Sequence, residues 1–296
     1  MSSADVSYYR ADLALVHHLG FGFHAEACAP GILALLEPLL EREGLVLELG
    51  CGSGLLTQHL VSAGHRVIAT DASSSMLDLA RRHAPGTEDI RQVKLPDDPL
   101  PPADAIVSVG HVLSYLPDKS AVDLALASAA QALRPSGVLA IDLCDLQWGE
   151  ARKDAPPSVW RNEEWVLITE FSLPSPNKFV RKMTTFVRNR DRLWRRDDER
   201  HDNVLIDTSR VPVLLAEHGI EASIASRSVP SSCRQASWQS SGGAPTSSIY
   251  ESRQFAPSSS GCASARSQVD LLGASQNAIH PSAWKGCSAN FGRRGF

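Results

Sequence analysis

Two carboxylates and three glycines in this chain are spaced to grip a nucleoside that carries a positive charge. Glu48 lies in the apolar run Leu45-Val46-Leu47-Glu48-Leu49, and Gly50-Cys51-Gly52-Ser53-Gly54 follows at once. Glycine lets a backbone turn tightly and approach a ligand. A helix predicted from Leu55 to Ala63 would add free N–H donors at its start. The glycines read G-x-G-x-G. The dinucleotide fingerprint G-x-G-x-x-G needs glycine where Leu55 stands. That fingerprint seats a pyrophosphate on the helix end, which Glu48 would repel. A cationic amino group suits Glu48 better. The loop therefore reads as a site for S-adenosylmethionine (SAM), with NAD as the weaker reading.

Asp71 ends the next apolar run, and an ionised carboxylate can accept from both ribose hydroxyls. Its other reading is a helix N-cap ahead of Ser73-Ser74-Ser75. Met76 suits either an adenine face or helix core. These residues need strands that end side by side. Apolar spacing predicts helices over 6–19, from Pro30 to about Glu41, and over 55–63, 74–83 and 120–133. Strands are predicted over 45–49, 66–70, 90–94, 105–109 and 138–143. Their alternation with helices argues a doubly wound, mostly parallel α/β sheet, Rossmann-like, covered on both faces. After Gly149 the pattern changes. Trp165–Phe171, Lys178–Arg188 and Arg200–Ile206 read as strands of an antiparallel insert. Val211–His218 returns to helix, with Gly219 fitting its C′ position, and a strand is expected over 221–228.

From Val229 the chain is rich in Ser, Gly, Ala and Gln, a composition that suits disorder. The genetic code offers a sharper reading. With TCN serine codons, a shifted frame through Ala236-Ser237-Trp238-Gln239-Ser240-Ser241 encodes an unbroken apolar run. A frameshift near residues 228–231 is thus expected to have replaced a final strand.

The runs Glu48-Leu49-Gly50-Cys51-Gly52-Ser53-Gly54 and Val67-Ile68-Ala69-Thr70-Asp71 resemble the class I SAM-dependent methyltransferases. Ala103-Asp104-Ala105-Ile106-Val107-Ser108 and Leu133-Arg134-Pro135-Ser136-Gly137-Val138-Leu139 support the likeness, which covers about residues 44–228 in fold order. The resemblance implies that Glu48 and the loop Gly50, Cys51, Gly52 and Gly54 hold the amino-acid end of SAM. It implies Asp71 for the ribose, Ala72 or Met76 for the adenine, and the Leu95 backbone in place of an acidic residue at 94. Gly110 and His111 follow the fourth strand, where sulfonium and acceptor meet in this family. Tyr9–Ala14, His18–Gly22, Arg181–Phe186 and Arg195–His201 resemble the bacterial small-molecule members with a β-rich lid. In that fold a last antiparallel strand lies between the fifth and sixth; this chain offers no apolar run for it.

Methyl transfer is an in-line displacement, and alignment alone can lower the barrier by roughly 7–11 kcal/mol. A base is required only if the acceptor must lose a proton. His201 and His111 are the candidates for that role; either could equally be structural. His17 and His18 are expected on a helix surface. Tyr9 and Tyr115 could close the pocket or pack in the core. Cys51 reads as a small spacer in the loop, since no base is identified for its thiol. The Arg-rich stretch 188–200 is interleaved with Asp191, Asp197, Asp198 and Glu199, as a solvated hairpin would be.

At 296 residues, 43% hydrophobic, the chain can bury a large core. A net charge of −4 gives no global pull towards nucleic acid. The run 108–111 also lacks the Asn/Asp-Pro-Pro-aromatic motif of nucleic-acid amine methyltransferases. The N-terminus has no secretory pattern, and no apolar run is expected to span a bilayer. The six cysteines show no metal-like spacing, so a cytoplasmic protein with reduced thiols and no metal is expected. The parts are an N-terminal helical cover (1–43), a SAM-binding core (44–149), a lid (150–208), a return to the core (209–228) and a tail (229–296). The expected activity is SAM-dependent methylation of N, O or C on a small molecule. The alternatives are a non-catalytic SAM-binding protein and an NAD-linked oxidoreductase.

Overall fold

The computed structural model describes residues 8–225 and 248–253. Five strands run parallel: β1 (Leu45–Leu49), β2 (Arg66–Asp71), β3 (Asp89–Gln92), β4 (Ala103–Ser108) and β5 (Leu133–Leu143). Their apolar runs bury both faces. Leu47, Leu49, Ile106 and Ile141 face one way, against α5 (Lys119–Ala132) and α6 (Val211–Ala216). Val46, Val67, Ala69 and Val107 face the other way, against α2 (Phe23–Leu40), α3 (Leu55–Ser62) and α4 (Ser74–His83). This is the period-2 alternation of a strand with helices on both sides. Chain order reverses between β4 and β1, and such a switch opens a crevice at the carboxyl ends of the strands.

The sheet continues past β5 with β10 (Ala222–Ala225) and β11 (Ser248–Arg253), in the order β10-β11-β5-β4-β1-β2-β3. The expectation of an empty slot between the fifth and sixth strands is thus corrected. β11 fills it, antiparallel to both neighbours, with Tyr250 opposite Ile141 on one side and Ile224 on the other. Pairing is made by backbone groups, so a slot between two strands can be filled without the apolar run that sequence reading demands. The proposed frameshift at 228–231 and the shifted run at 236–241 lie outside the described residues.

The N-terminal cover differs from its expected outline. Tyr9 has a positive φ of 55° and Arg10 is extended, so α1 starts only at Ala11 and ends at Gly20. Pro30 does not open the second helix. α2 begins at Phe23 and carries Pro30 and Pro38 inside it. Its early start is fixed by aromatic packing, because Phe21 and Phe23 both lie on Trp160. By length and composition alone α2 could also cross a membrane, contrary to the expectation of no such run. Its residues Ile32, Leu36 and Leu39 pack onto the central sheet.

The insert is a second sheet, antiparallel throughout: β6 (Ser158–Arg161), β7 (Trp165–Ser175), β8 (Lys178–Arg188) and β9 (Trp194–Val204). β6 was not anticipated; four residues are too few to show a period. β9 begins well before Arg200, because its charged first half pairs in register with β8. The exposed charges of that half are tied to the N-terminus, through Arg195 with Asp12 and Arg10 with Asp197. Leu13 and Val16 of α1 pack against Trp165, Leu167, Met183 and Val187 of the lid. The N-terminal segment is therefore clamped between lid and core.

Candidate functional site

The crevice at the strand switch is lined by the glycine loop. Gly50, Gly52 and Gly54 all have positive φ, at 67°, 55° and 83°. Their surroundings differ. A Cβ on Gly50 would meet Val112 at 2.2 Å, and one on Gly54 would meet the backbone of Ala80 at 3.1 Å. A Cβ on Gly52 would meet only Met76 Sδ, at 4.0 Å. A Cβ on Gly110, beyond β4, would meet nothing within 4 Å. Packing thus closes two sides of the loop and leaves Gly52 and Gly110 facing open space.

A buried carboxylate, Glu48, and a half-buried one, Asp71, stand beside that space. Glu48 accepts from Thr57 Oγ1 at 2.6 Å. Burial, against the Thr57 bond and with help from the Asp71 charge, pushes it up to about 7. Asp71 accepts from Gly52 N–H at 2.9 Å and Ser73 N–H at 2.8 Å. The cap of α4 is instead Ser73, whose hydroxyl accepts from Met76 N–H, so Asp71 is not the cap. Among the described residues neither carboxylate has a Lys, Arg or His in ion-pair range. A small cation with hydroxyl donors would satisfy both, and SAM has an ammonium, a sulfonium and ribose hydroxyls. These residues fit it; a pyrophosphate would meet two negative charges.

The remaining cofactor candidates line up less evenly. Met76 is buried against Ala14 and Leu79, yet its sulfur borders the space at Gly52. Ala72 accepts through its carbonyl from Gln92 Nε2 at 2.7 Å. Leu95 packs on the core beside β3. Cys51 turns its side chain into the helix-covered core, and burial raises its thiol well above the usual value. Only its backbone is left to face a ligand. His17 and His18 are not on a free helix surface, because α1 is covered on both sides. His17 lies edge-on to Tyr9, and burial lowers its pKa to about 4. His18 Nδ1 is 2.9 Å from Ser53 Oγ in the glycine loop.

The two catalytic candidates fall in different clusters, joined by the short 3-10 turn Val112–Tyr115. His111 opens that turn. Its ring is buried, 3.1 Å from Asp142 on β5 and edge-on to Trp148. Tyr115 closes the turn and meets the lid. Its hydroxyl lies 2.9 Å from Tyr9 Oη and 3.4 Å from His201 Nδ1, and it accepts from Arg181. His201 Nε2 is 2.8 Å from Glu199. Glu199 also accepts from the backbone N–H groups of Tyr9 and Arg10, both at 2.8 Å. With Glu199 accepting on both oxygens, His201 points its Nε2–H at it and leaves the Nδ1 lone pair towards Tyr115. Burial, outweighing the Glu199 bond, lowers His201 to about 4.

Sequence reading missed Glu199, Arg181, Asn203 and Asp142. The one available signal was the spacing Glu199, His201, Asn203 on a strand, where alternate residues share a face. The charged run 195–200 hid it. Arg181, paired across the sheet with His201, shares that face and donates from Nε to Asn203 Oδ1 at 3.2 Å.

The doubly wound sheet, with its G-x-G-x-G crevice and antiparallel insert, matches the Rossmann-like fold of known SAM-dependent methyltransferases. Residues 46–137 match the family model described as "Methyltransferase domain". Mouse (Mus musculus) glycine N-methyltransferase is 33% identical over 143 residues, 42% of this chain and 49% of that protein. The chain spans about half the length of the curated relatives it matches. Streptomyces venezuelae DesVI has a similar fold, with a TM-score of 0.65 at 20% identity over 84% of this chain and 100% of that one. SAM-bound CalS10, an amino pentose methyltransferase from Micromonospora echinaspora, gives a TM-score of 0.59 at 16% identity, covering 85% and 99%. Residues 46–137 thus carry a methyltransferase domain, and the chain shares its fold with SAM-dependent methyltransferases of known structure.

Proposed function

We infer that this protein transfers a methyl group from SAM to an amine on a small molecule. The observation that carries the reading is the chain Glu199–His201–Tyr115–Tyr9, set on the lid side of the turn that begins beside Gly110. SAM, when bound, supplies an electrophilic methyl on a sulfonium. Glu48 and Asp71 hold its charged and hydroxyl groups, and the Gly52 and Gly110 backbones leave it room. The lid and the N-terminal segment exclude water and align the acceptor, which is the main demand of a displacement at carbon. A pKa of about 4 leaves His201 neutral at physiological pH. His201 Nδ1 is then a standing acceptor that orients an amine N–H, with Glu199 fixing the tautomer, and the proton of the methylated ammonium leaves to water with the product. Tyr115 stays protonated, because burial raises it well above its usual value. The mouse relative and CalS10 bear names that specify an amino acid and an amino sugar, which supports an amine acceptor.

The test is S-adenosylhomocysteine formation across a panel of small amines and matched alcohols. Amines should turn over. His201→Ala should lower kcat about 100-fold with little change in SAM affinity. Turnover of alcohols alone would move the reading to O-methylation. SAM binding with no turnover anywhere would leave a non-catalytic binding protein.

A further inference from the structure

Asp142 has no part in the reading above, yet it is a fully buried carboxylate with partners at Gly110, His111 and His24. It lies on β5, fully covered, and its two oxygens accept from consecutive backbone N–H groups: Gly110 at 2.9 Å and His111 at 2.8 Å. Those two residues have φ of 104° and 61°, so the chain leaves β4 through two successive left-handed residues. Histidine enters that region at a cost, and hydrogen bonds from outside the turn are needed to hold it there. The His111 ring returns to the same carboxylate at 3.1 Å, and His24 Nε2 of α2 reaches it at 3.7 Å.

The turn so held has two working ends. Val112 is the residue that closes the Gly50 side of the cofactor loop. Tyr115 presents its hydroxyl to Tyr9, Arg181 and His201. A shift of the 110–111 backbone would therefore move the cofactor wall and the acceptor network together.

We propose that Asp142 is a positioning residue: as a buried anion paired with the His111 imidazolium, it fixes the turn that sets cofactor loop and acceptor network in register. Burial opposes a cationic His111, and Cys144 and Asp142 more than offset that, so its pKa stands well above the usual value. The groups facing this pair are His24 and Cys28 from α2 and Cys144 from the end of β5. The catalytic half of this proposal rests on the methyltransferase reading; the structural half does not.

The experiment is amide hydrogen exchange and histidine ¹⁵N spectra on the full chain, for wild type, Asp142→Asn and His111→Asn. Asparagine tolerates the left-handed turn, which keeps the second variant folded. In wild type His111 should be doubly protonated at pH 7. Asp142→Asn should abolish that signal and speed exchange at Gly110 and His111 at least 10-fold, leaving β4 amides unchanged. With the acceptor returned by the amine panel, kcat should fall about 100-fold and SAM affinity should weaken at least 3-fold. In His111→Asn the carboxylate loses its cation, so the acid limb of kcat should move to higher pH. Unchanged exchange at 110–111, or an unchanged kcat in Asp142→Asn, would overturn the proposal. Failure of wild type to bind SAM would instead strike the proposed function, while the exchange result still decides the role of Asp142 in the turn.

Discussion

Glu48 is a carboxylate whose proton is balanced between fold and ligand. Unfolded, it releases that proton near 4.5; folded, it keeps it up to about 7. The folded state thus binds the extra proton between those values. That stabilisation is fully present below pH 4.5 and is lost as pH rises through 7, about 3 kcal/mol in all. Glu48→Gln should flatten this slope. Urea unfolding at pH 5 and pH 8 checks it: wild type should weaken at pH 8 and the variant should not. Titration of SAM near pH 7, in buffers of different ionisation enthalpy, should show proton release from wild type and none from the variant. A residue of this kind is legible in sequence, because strand, carboxylate and glycines are adjacent. Glu199 is not, because its backbone donors lie in the N-terminal segment, with Tyr9 190 residues away.

At the scale of elements, most of the parallel sheet was legible because apolar runs, glycines and caps agree with one another. The helix over Ser74–His83 and the strand over Lys178–Arg188 have the expected bounds. β11 was not legible. Ser248-Ile249-Tyr250-Glu251-Ser252-Arg253 has too few apolar residues to read as a strand between two others. Its place follows from backbone pairing on both sides. This predicts that Tyr250→Pro is costly, since proline removes a ladder donor inside a central strand. We expect a loss of about 1–3 kcal/mol, read as a lower urea midpoint with the m-value kept. A midpoint unchanged from wild type would mean that β5 does not depend on this neighbour.

At the scale of the molecule, the two halves of the site are held by contacts of different reach. Gly52 meets Asp71 across 19 residues, whereas Tyr9 meets Glu199 across 190. Tyr9 is fixed at three points: its N–H on Glu199, its hydroxyl at Tyr115, and its carbonyl, which accepts from Ser73 Oγ at 2.8 Å. The bridges beside it, Arg10 with Asp197 and Arg195 with Asp12, involve arginines that are largely exposed, and salt weakens exposed pairs. The Tyr9 and Arg10 amides should therefore exchange by local opening, faster in 1 M salt, while Gly52 stays protected in both. Equal protection at all three would show that the cover opens only with the whole fold.

The tenfold difference in reach between those two contacts also orders the birth of the site. Closing a loop ten times longer costs about 2 kcal/mol more chain entropy. Most of the cofactor crevice is written within one short stretch of chain, from Glu48 to Asp71, and β4 with Gly110 and Val112 completes it some forty residues on. The acceptor half needs a lid strand that leaves the ribosome long after Tyr9 does. A nascent chain of this protein can thus own a cofactor cradle well before it has anything to methylate with, and its first residues must wait uncommitted until Glu199 arrives.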